Sequence, residues 1–202
     1  MAAASAPVPG KGGARVSVRA RLLAAADDLF YEGGTHSVGI DRILERAGVA
    51  KASLYDTFGS KDALVQAYLE ARDVARRRRV EAAVARHTSP RQKLLGVFDA
   101  VGDYMSSPQY RGCAFSRASG ESRPVEGVKH ACDVARDWLR DLFRALARDA
   151  GARRPDTLAS QLMLLYDGAS VSGLMEGGVE AARIARDAAE VLLDAALPTQ
   201  RA

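Results

Sequence analysis

The segment KASLYDTFGSK, residues 51–61, follows a glycine at position 48 and combines small side chains with ammonium, hydroxyl, phenol and carboxylate groups. Such groups can exchange hydrogen bonds with base edges in the DNA major groove, and lysine can neutralise phosphate. A helix over 51–57 that buries Leu54 behind Val49 turns its other side chains outwards. These are Lys51, Ala52, Ser53, Tyr55, Asp56 and Thr57. Their small size and polarity predict a helix that enters a groove of DNA.

Two earlier helices are predicted to hold this helix in place. Apolar residues at helical spacing indicate a first helix over 17–32, which Gly33 and Gly34 end. A shorter helix is predicted over 39–46, and Gly48 then allows a tight turn with a positive φ. A helix, a glycine-containing turn and a second helix form the helix-turn-helix arrangement, in which the second helix lies in the major groove.

The rest of the chain is also predicted to be helical, because alanine, leucine and valine dominate its apolar residues and alternating runs are few. Ser60 is expected to cap a long helix that ends near residue 86. Breaks at proline and glycine then separate five further helices, over about 90–106, 113–120, 124–149, 155–176 and 179–196. We therefore predict an all-α protein of about nine helices. Its expected parts are a flexible basic arm (1–16), a helix-turn-helix domain (17–70) and a second helical domain (71–202).

Composition narrows the classes of protein that the chain can belong to. Hydrophobic residues make up 48% of it and the formal net charge is +4, which fits a globular protein and only weakly favours a nucleic-acid partner. No stretch approaches the roughly 18 apolar residues of a membrane span, and the first residues lack a continuous apolar signal segment. We expect a cytoplasmic protein without membrane association. The sequence has no phosphate-binding glycine loop, metalloprotease motif or plausible catalytic triad, so an enzyme is not expected, nor are a cofactor or a metal.

Two basic segments have more than one interpretation. The arm that carries Lys11 and Arg15, together with Arg19, could contact the minor groove or phosphates, or it could be disordered. The run Arg76–Arg79 covers every direction around the long helix. We expect a solvated linking helix there, and a direct phosphate contact is the alternative.

Residues 39–69, GIDRILERAGVAKASLYDTFGSKDALVQAYL, closely resemble the tetracycline-repressor (TetR) family of bacterial transcription regulators. The resemblance extends upstream through residues 19–34. It includes the family's signature positions as Ala47-Gly48-Val49, Leu54-Tyr55, Phe58 and Ser60-Lys61. The resemblance implies a homodimer whose N-terminal heads read a palindromic double-stranded operator and whose C-terminal bundles dimerise and bind a small effector.

The resemblance also implies roles for individual residues. Tyr55 packs and touches the DNA backbone, and Lys61, at the start of the fourth helix, meets a phosphate. Gly39 and Ala50 depart from the family, since many members have a hydroxyl side chain at these two helix starts. Ser37 either supplies the hydroxyl that is missing at Gly39 or does not, and the sequence leaves both alternatives open. Asp56 could accept a hydrogen bond from a cytosine amino group or pair with a neighbouring arginine. The candidate DNA contacts are Ser37, Gly39, Arg42, Ala50, Lys51, Ala52, Ser53, Tyr55, Asp56, Thr57 and Lys61.

Large apolar side chains in the second domain form either its core or the lining of an effector pocket. The candidates for the pocket are Phe98, Tyr104, Met105, Phe115, Trp138, Met163 and Tyr166. The family's pocket lies among the middle helices, and an aromatic lining with few polar groups suits a small, largely apolar effector. Cys113 and Cys132 are interpreted as buried residues, with a redox switch as the alternative.

The last two helices are expected to form the contact with a second copy. Their predicted contact faces are Leu158, Leu162, Leu165 and Ala169, and Ile184, Ala188, Val191 and Leu192. Two helices from each subunit would make a four-helix bundle. The sequence thus predicts a DNA-binding transcription regulator, a repressor that an effector releases from its operator. The alternatives are a constitutive DNA-binding regulator without a ligand and a helical enzyme.

Overall fold

The computed structural model describes residues 16–120 and 125–197. Within these residues the chain forms nine α-helices and no strand, which confirms the predicted all-α fold. The helices are α1 Val18–Gly33, α2 Ile40–Ala47, α3 Lys51–Phe58, α4 Lys61–Ala85, α5 Pro90–Met105, α6 Ala114–Gly120, α7 Glu126–Asp149, α8 Pro155–Ser172 and α9 Glu180–Ala196. A π-helical turn, Gly173–Gly177, joins the last two. The predicted basic arm lies outside the described residues, apart from Val16.

Serine side chains begin three of the helices. The Oγ atoms of Ser17, Ser60 and Ser89 accept hydrogen bonds from the backbone N–H three residues later, at 3.2, 3.0 and 3.2 Å. Each bond satisfies one of the N–H groups that a helix start leaves without an intrahelical partner. Ser60 therefore caps α4 as predicted, and its cap fixes where the long helix leaves the first three.

Two hydrophobic cores divide the described chain. The first joins α1, α2 and α3 to the start of α4, and in it the rings of Phe30 and Tyr68 meet edge to face at 5.6 Å. The second joins the end of α4 to α5, α7, α8 and α9, with Phe98 and Phe143 at its centre. Apolar residues of α6 and of the first turns of α7 pack into the first core. The helix-turn-helix head is therefore fastened to the bundle by α6 and α7 as well as by α4.

The predicted solvated helix at Arg76–Arg79 is wrong for three of its four residues, since only Arg78 is exposed. The side chains of Arg76 and Arg77 are only 11% and 30% exposed, and both pair with Asp73, which is buried. The run lies where α5 and α7 pack on α4, so one side of the helix is covered by protein. A buried carboxylate one turn earlier supplies the counter-charge that lets these guanidinium groups leave water.

The predicted contact face of α8 is also wrong. Leu158, Leu162 and Ala169 are buried in the core of their own chain. The apolar residues that α8 exposes are instead Leu164 and Val171, at 69% and 48%. The predicted face followed the most hydrophobic side of the helix, and in a bundle that side packs inwards first.

Candidate nucleic-acid interface and ligand cavity

The turn between α2 and α3 has the geometry that its glycine predicted. Gly48 takes φ 61° and ψ 44°, the left-handed conformation that ends α2. Its N–H donates to the carbonyl of Glu45 at 3.1 Å, and its own carbonyl accepts from Arg21 of α1. A Cβ atom at this position would lie 2.8 Å from Nη2 of Arg21. The turn is therefore both strained for any other residue and clamped from α1.

The outer face of α3 is polar, while Leu54 on its inner face is fully buried. Lys51, Ala52, Tyr55 and Asp56 are exposed, and Ser53 and Thr57 are half-buried. The Thr57 hydroxyl donates to the Ser53 carbonyl at 2.6 Å, so its proton is used within the helix. No ion pair joins Asp56 to a basic side chain within the described ranges. The exposed surface of α3 therefore offers an ammonium, a phenol and a carboxylate to a partner.

The starts of α2 and α3 lack side-chain caps. Gly39 and Ala50 occupy the N-cap positions with φ of −75° and −73°, and neither provides a capping hydrogen bond. Ser37 does not replace the missing cap, because its hydroxyl donates to the carbonyl of Gly33. The first N–H groups of both helices therefore have no side-chain acceptor, which leaves them available to an anion at the positive ends of the helix dipoles.

The remaining candidate contacts lie around this surface. Arg42 is exposed in the first turn of α2. Lys61, at the first position of α4, donates to the carbonyl of His36 at 3.3 Å and lies 5.9 Å from the ring centre of Phe30. The guanidinium of Arg19 lies 5.4 Å from the ring centre of Phe58. Lys61 and Arg19 therefore rest against the head.

A cavity lies where the head meets the bundle. It lies between α1, α4, α5, α6 and α8 and comprises about 420 Å³ of space, part of which is open to solvent. Its ring-bearing lining residues are Tyr31, Tyr104, Tyr110, Phe115 and Tyr166, and its basic ones are Arg72, Arg76 and Arg79. Tyr31 belongs to α1 of the head, so whatever fills this space touches both parts of the molecule.

Tyr31 is the centre of a hydrogen-bond network in the cavity wall. Its hydroxyl donates to the Gly112 carbonyl at 3.0 Å, and accepts from the Arg111 N–H at 3.0 Å and from the Tyr104 hydroxyl at 2.8 Å. Arg72 stacks over the Tyr31 ring at 3.6 Å and donates to the Tyr104 hydroxyl at 3.0 Å. Burial and the hydrogen bond from Tyr104 raise the pKa of Tyr31.

Comparison with known proteins decides what this combination of head and cavity belongs to. A sequence model of bacterial regulatory proteins of the tetR family matches residues 22–68. A crystal structure of a TetR-family transcriptional regulator from Streptomyces coelicolor is 33% identical, with a TM-score of 0.83 over 89% of this chain and 95% of that one. The chain belongs to the TetR family. It is a DNA-binding transcription regulator, as this family's members are, and not an enzyme.

Two further relatives support this assignment. A TetR-type regulator from Streptomyces avermitilis is 33% identical, with a TM-score of 0.77 over 90% of this TetR-family chain and 98% of the other. The HTH-type transcriptional activator FasR of Mycolicibacterium smegmatis is 33% identical over 135 residues. That match covers 66% of this chain and 60% of FasR. The structural similarity thus spans most of this chain for the first of these two, and the sequence similarity spans about two thirds of it for the second.

The cavity of this TetR-family regulator brings together three of the predicted pocket residues. Tyr104, Phe115 and Tyr166 line it, whereas Phe98, Met105 and Met163 lie in the core of the bundle. Trp138 packs beside the cavity, with its ring 5.8 Å from the guanidinium of Arg76 and 5.0 Å from that of Arg77. The prediction of a lining with few polar groups did not anticipate these arginines.

Sequence reasoning missed Tyr31, Tyr110 and the three arginines of the wall. One signal was present: Arg72, Arg76 and Arg79 follow one another at helical spacing and therefore share a face of α4. Arg77 and Arg78 belong to the same run, so the helical spacing of the other three arginines was not recognised. Cys113 also lines the cavity, and Cys132 is buried, where burial raises the pKa of its thiol. In the part of the chain that the structure describes, no helix is long and apolar enough to cross a membrane.

Proposed function

We propose that this regulator is a dimeric repressor that binds a palindromic operator through α3 and leaves it when a small molecule fills the cavity. The observation that carries the proposal is the position of Tyr31, which belongs to the head and forms part of the cavity wall. A ligand in the cavity therefore acts on the orientation of the head directly. We assign DNA binding to residues 17–70 and ligand binding with dimerisation to residues 71–202.

The DNA-binding half of the proposal depends on the exposed surface of α3 and the uncapped helix starts. Lys51 and Asp56 face base edges, while Tyr55, Lys61 and the N–H groups at Gly39 and Ala50 hold phosphates. The half-sites of such an operator lie about 34–36 Å apart, because the two heads must enter the groove one helical turn apart.

The dimer half of the proposal depends on two apolar stripes. On α8, Leu164, Gly168 and Val171 are exposed at spacings of four and three residues. On α9, Ile184 and Val191 are exposed at 57% and 68%, again on one face. Two such stripes on adjacent helices of one chain match the same pair on a second copy, which gives a self-complementary four-helix contact.

Retardation of genomic DNA fragments by the purified protein tests the operator. Lys61→Ala is expected to weaken binding equally across operator variants, because it removes a phosphate contact and reduces the salt slope by about 0.9. Lys51→Ala is expected to change the sequence preference as well. Lys93→Ala, on α5 in the bundle, is the matched control and leaves binding unchanged. Equal affinities for the wild type and both head variants would refute the assignment of α3.

Size-exclusion chromatography with light scattering tests the dimer. A glutamate in the stripe buries an unpaired charge at the contact, so Val191→Glu is expected to convert dimer to monomer. Val74→Glu on α4 is the control, since Val74 is 48% exposed but lies on another surface. A Val191→Glu protein that stays dimeric would remove the α8–α9 surface from the proposal.

Release is tested by a compound screen with two readouts on the same protein. A ligand of the cavity raises the melting temperature and, in a repressor of this kind, lowers operator affinity, because only unequal affinity for two arrangements can shift the head. Compounds that bind beside Trp138 and leave the operator complex intact would contradict effector release.

The name of FasR favours one second candidate, a transcriptional activator that uses the same head. A reporter gene under the operator separates the two. Deletion of the regulator raises expression if it represses and lowers expression if it activates.

A further inference from the structure

The guanidinium groups in the cavity wall carry more charge than the carboxylates around them. Asp27 pairs with Arg72 through two hydrogen bonds, at 2.5 and 3.0 Å. Asp73 serves both Arg76, at 2.7 Å, and Arg77, at 2.5 Å. Arg79 has no carboxylate partner within the described residues and lies 4.1 Å from the ring centre of Tyr104. Two carboxylates thus serve four arginines of α4, three of which line the cavity, and this leaves a positive excess in a half-buried place.

Two hydrogen-bonding groups of the same wall have no partner. The Arg76 side chain is only 11% exposed, and its Nε is buried without an acceptor in the described chain. The hydroxyl of Tyr166, a buried residue, has no hydrogen-bond partner among the described residues. Of these two atoms only Nε of Arg76 is itself buried, and a buried donor without an acceptor is rare and calls for an explanation such as an absent ion or ligand. Burial raises the pKa of Tyr166 to about 12, and the nearby charges of Arg76 and Arg79 oppose that rise. The positive potential therefore reaches the hydroxyl.

The rest of the cavity is aromatic. Tyr110 and Phe115 face it together with Val101, and the ring of Phe115 also lies 4.8 Å from the guanidinium of Arg76. A cation would be repelled by this wall, and a neutral apolar molecule would leave Arg79 and Arg76 Nε without acceptors. A molecule with an anionic end and a flat apolar body satisfies both regions.

We propose that the cavity takes an arylalkyl carboxylate, with the carboxylate held by Arg76 and Arg79 and the aromatic body against Tyr110 and Phe115. This inference rests on the proposed function, since it names the class of effector for the same site. Arg76 and Arg79 lie three residues apart on α4, so their side chains start from neighbouring positions on one face. Their guanidinium groups can therefore share one carboxylate. The unpaired Nε of Arg76 is closed to solvent in this structure, so a carboxylate reaches it only if the Arg76 side chain turns.

The probe is 4-phenylbutyrate, with 4-phenylbutyramide as its neutral isostere and 4-phenylbutylamine as its cationic counterpart. Binding is followed by calorimetry and by the emission of Trp138, which is the single tryptophan of the chain and lies beside Arg76. We expect the carboxylate to bind and to change that emission. We expect the amide to bind about tenfold or more weakly, since it loses a charge-assisted hydrogen bond, and the amine not to bind.

Arg79→Gln removes the unpaired charge and is expected to abolish the preference for carboxylate over amide. Arg78→Gln removes one positive charge from the preceding residue, which is exposed, and is expected to keep the preference for carboxylate over amide. Arg79→Lys keeps a charge at the site and retains part of the preference, which provides a test if Arg79→Gln does not fold. Equal affinities for carboxylate and amide in the wild type, or equal losses in the Arg78 and Arg79 variants, would overturn the proposal.

Operator retardation in the same solutions separates this inference from the proposed function. Carboxylate binding without operator release would support the ligand class and contradict effector-driven release. Operator release by the amide or the amine, with no carboxylate binding, would overturn the ligand class and leave effector-driven release in place.

Discussion

Removal of one oxygen atom from Tyr31 tests how firmly the head is fastened to the bundle. Tyr31 is 6% exposed, and Tyr31→Phe deletes three hydrogen bonds of 2.8–3.0 Å at once. The Tyr104 hydroxyl can turn towards another acceptor and the N–H of Arg111, an exposed residue, can turn to water, but the buried Gly112 carbonyl loses its partner. The stranded Gly112 carbonyl costs about 1–3 kcal/mol and the two exchanged bonds together about 1 kcal/mol, which predicts about 2–4 kcal/mol of lost stability.

Thermal and urea unfolding measure this loss, and the melting temperature is expected to fall by roughly 5–15 °C for a chain of this size. Tyr166→Phe is the matched control: the ring lines the same cavity and is buried, but its hydroxyl has no partner in the described chain. We expect that control to lie within about 0.5 kcal/mol of the wild type. Equal destabilisation of the two variants would refute this role of the Tyr31 hydroxyl, because the two variants differ in the hydrogen-bond network that they remove.

Three further predictions concern stability. Burial raises the pKa of Tyr31, Tyr68 and Tyr166 above the ordinary value, so the folded chain keeps protons that the unfolded chain loses near pH 10. The contribution of these tyrosines to the free energy of unfolding is therefore fully present below about pH 10, and above it falls by about 1.4 kcal/mol per pH unit for each tyrosine. Melting temperatures in alkaline buffers measure this loss. A melting temperature that does not change with pH would contradict the burial of these side chains. Ala50→Ser adds the missing cap of α3 and is expected to raise stability by about 0.5–1 kcal/mol in urea unfolding, with an unchanged midpoint as the contrary result. Leu54→Ala empties a fully buried position and is expected to cost about 2–5 kcal/mol together with operator binding, whereas full DNA affinity in that variant would show that Leu54 does not hold α3 in place.

The head was predictable from the sequence because its signals are local. Gly48 requires a turn, Ser60 caps the helix that follows it, and Leu54 is the buried residue of a short helix whose other positions are small or polar. Each signal involves residues within a few positions of one another, so a short stretch of sequence is enough to predict each helix and turn of the head. The nine helices were predictable for the same reason, since proline and glycine mark most of their ends.

The cavity and the surface of α8 were not predictable in this way, because both depend on which side of a helix its neighbours cover. The apolar face of α8 was identified from its hydrophobic residues, but Leu162 packs inwards and Leu164 is left exposed. The arginine run was interpreted as solvated because four consecutive residues cover all sides of a helix. Only the packing of α5 and α7 on α4 selects Arg76 and Arg79 for the cavity wall and leaves Arg78 in solvent.

The hydrogen-bond network in the cavity wall has the strength that ligand-driven release requires. A hundredfold loss of operator affinity requires a ligand to favour one arrangement of the head by about 2.7 kcal/mol. The Tyr31 hydroxyl alone is worth a similar amount by the reasoning above, and Tyr104 joins it to Arg72. Arg72 in turn holds Asp27 of α1, so it connects the head, α4 and α5 in one cluster. A carboxylate at Arg79 would lie next to the Tyr104 ring, where a small displacement breaks bonds to two elements at once. A ligand that moves Tyr104 therefore needs no long pathway to reach the head, because the contact it disturbs is the contact that positions α1.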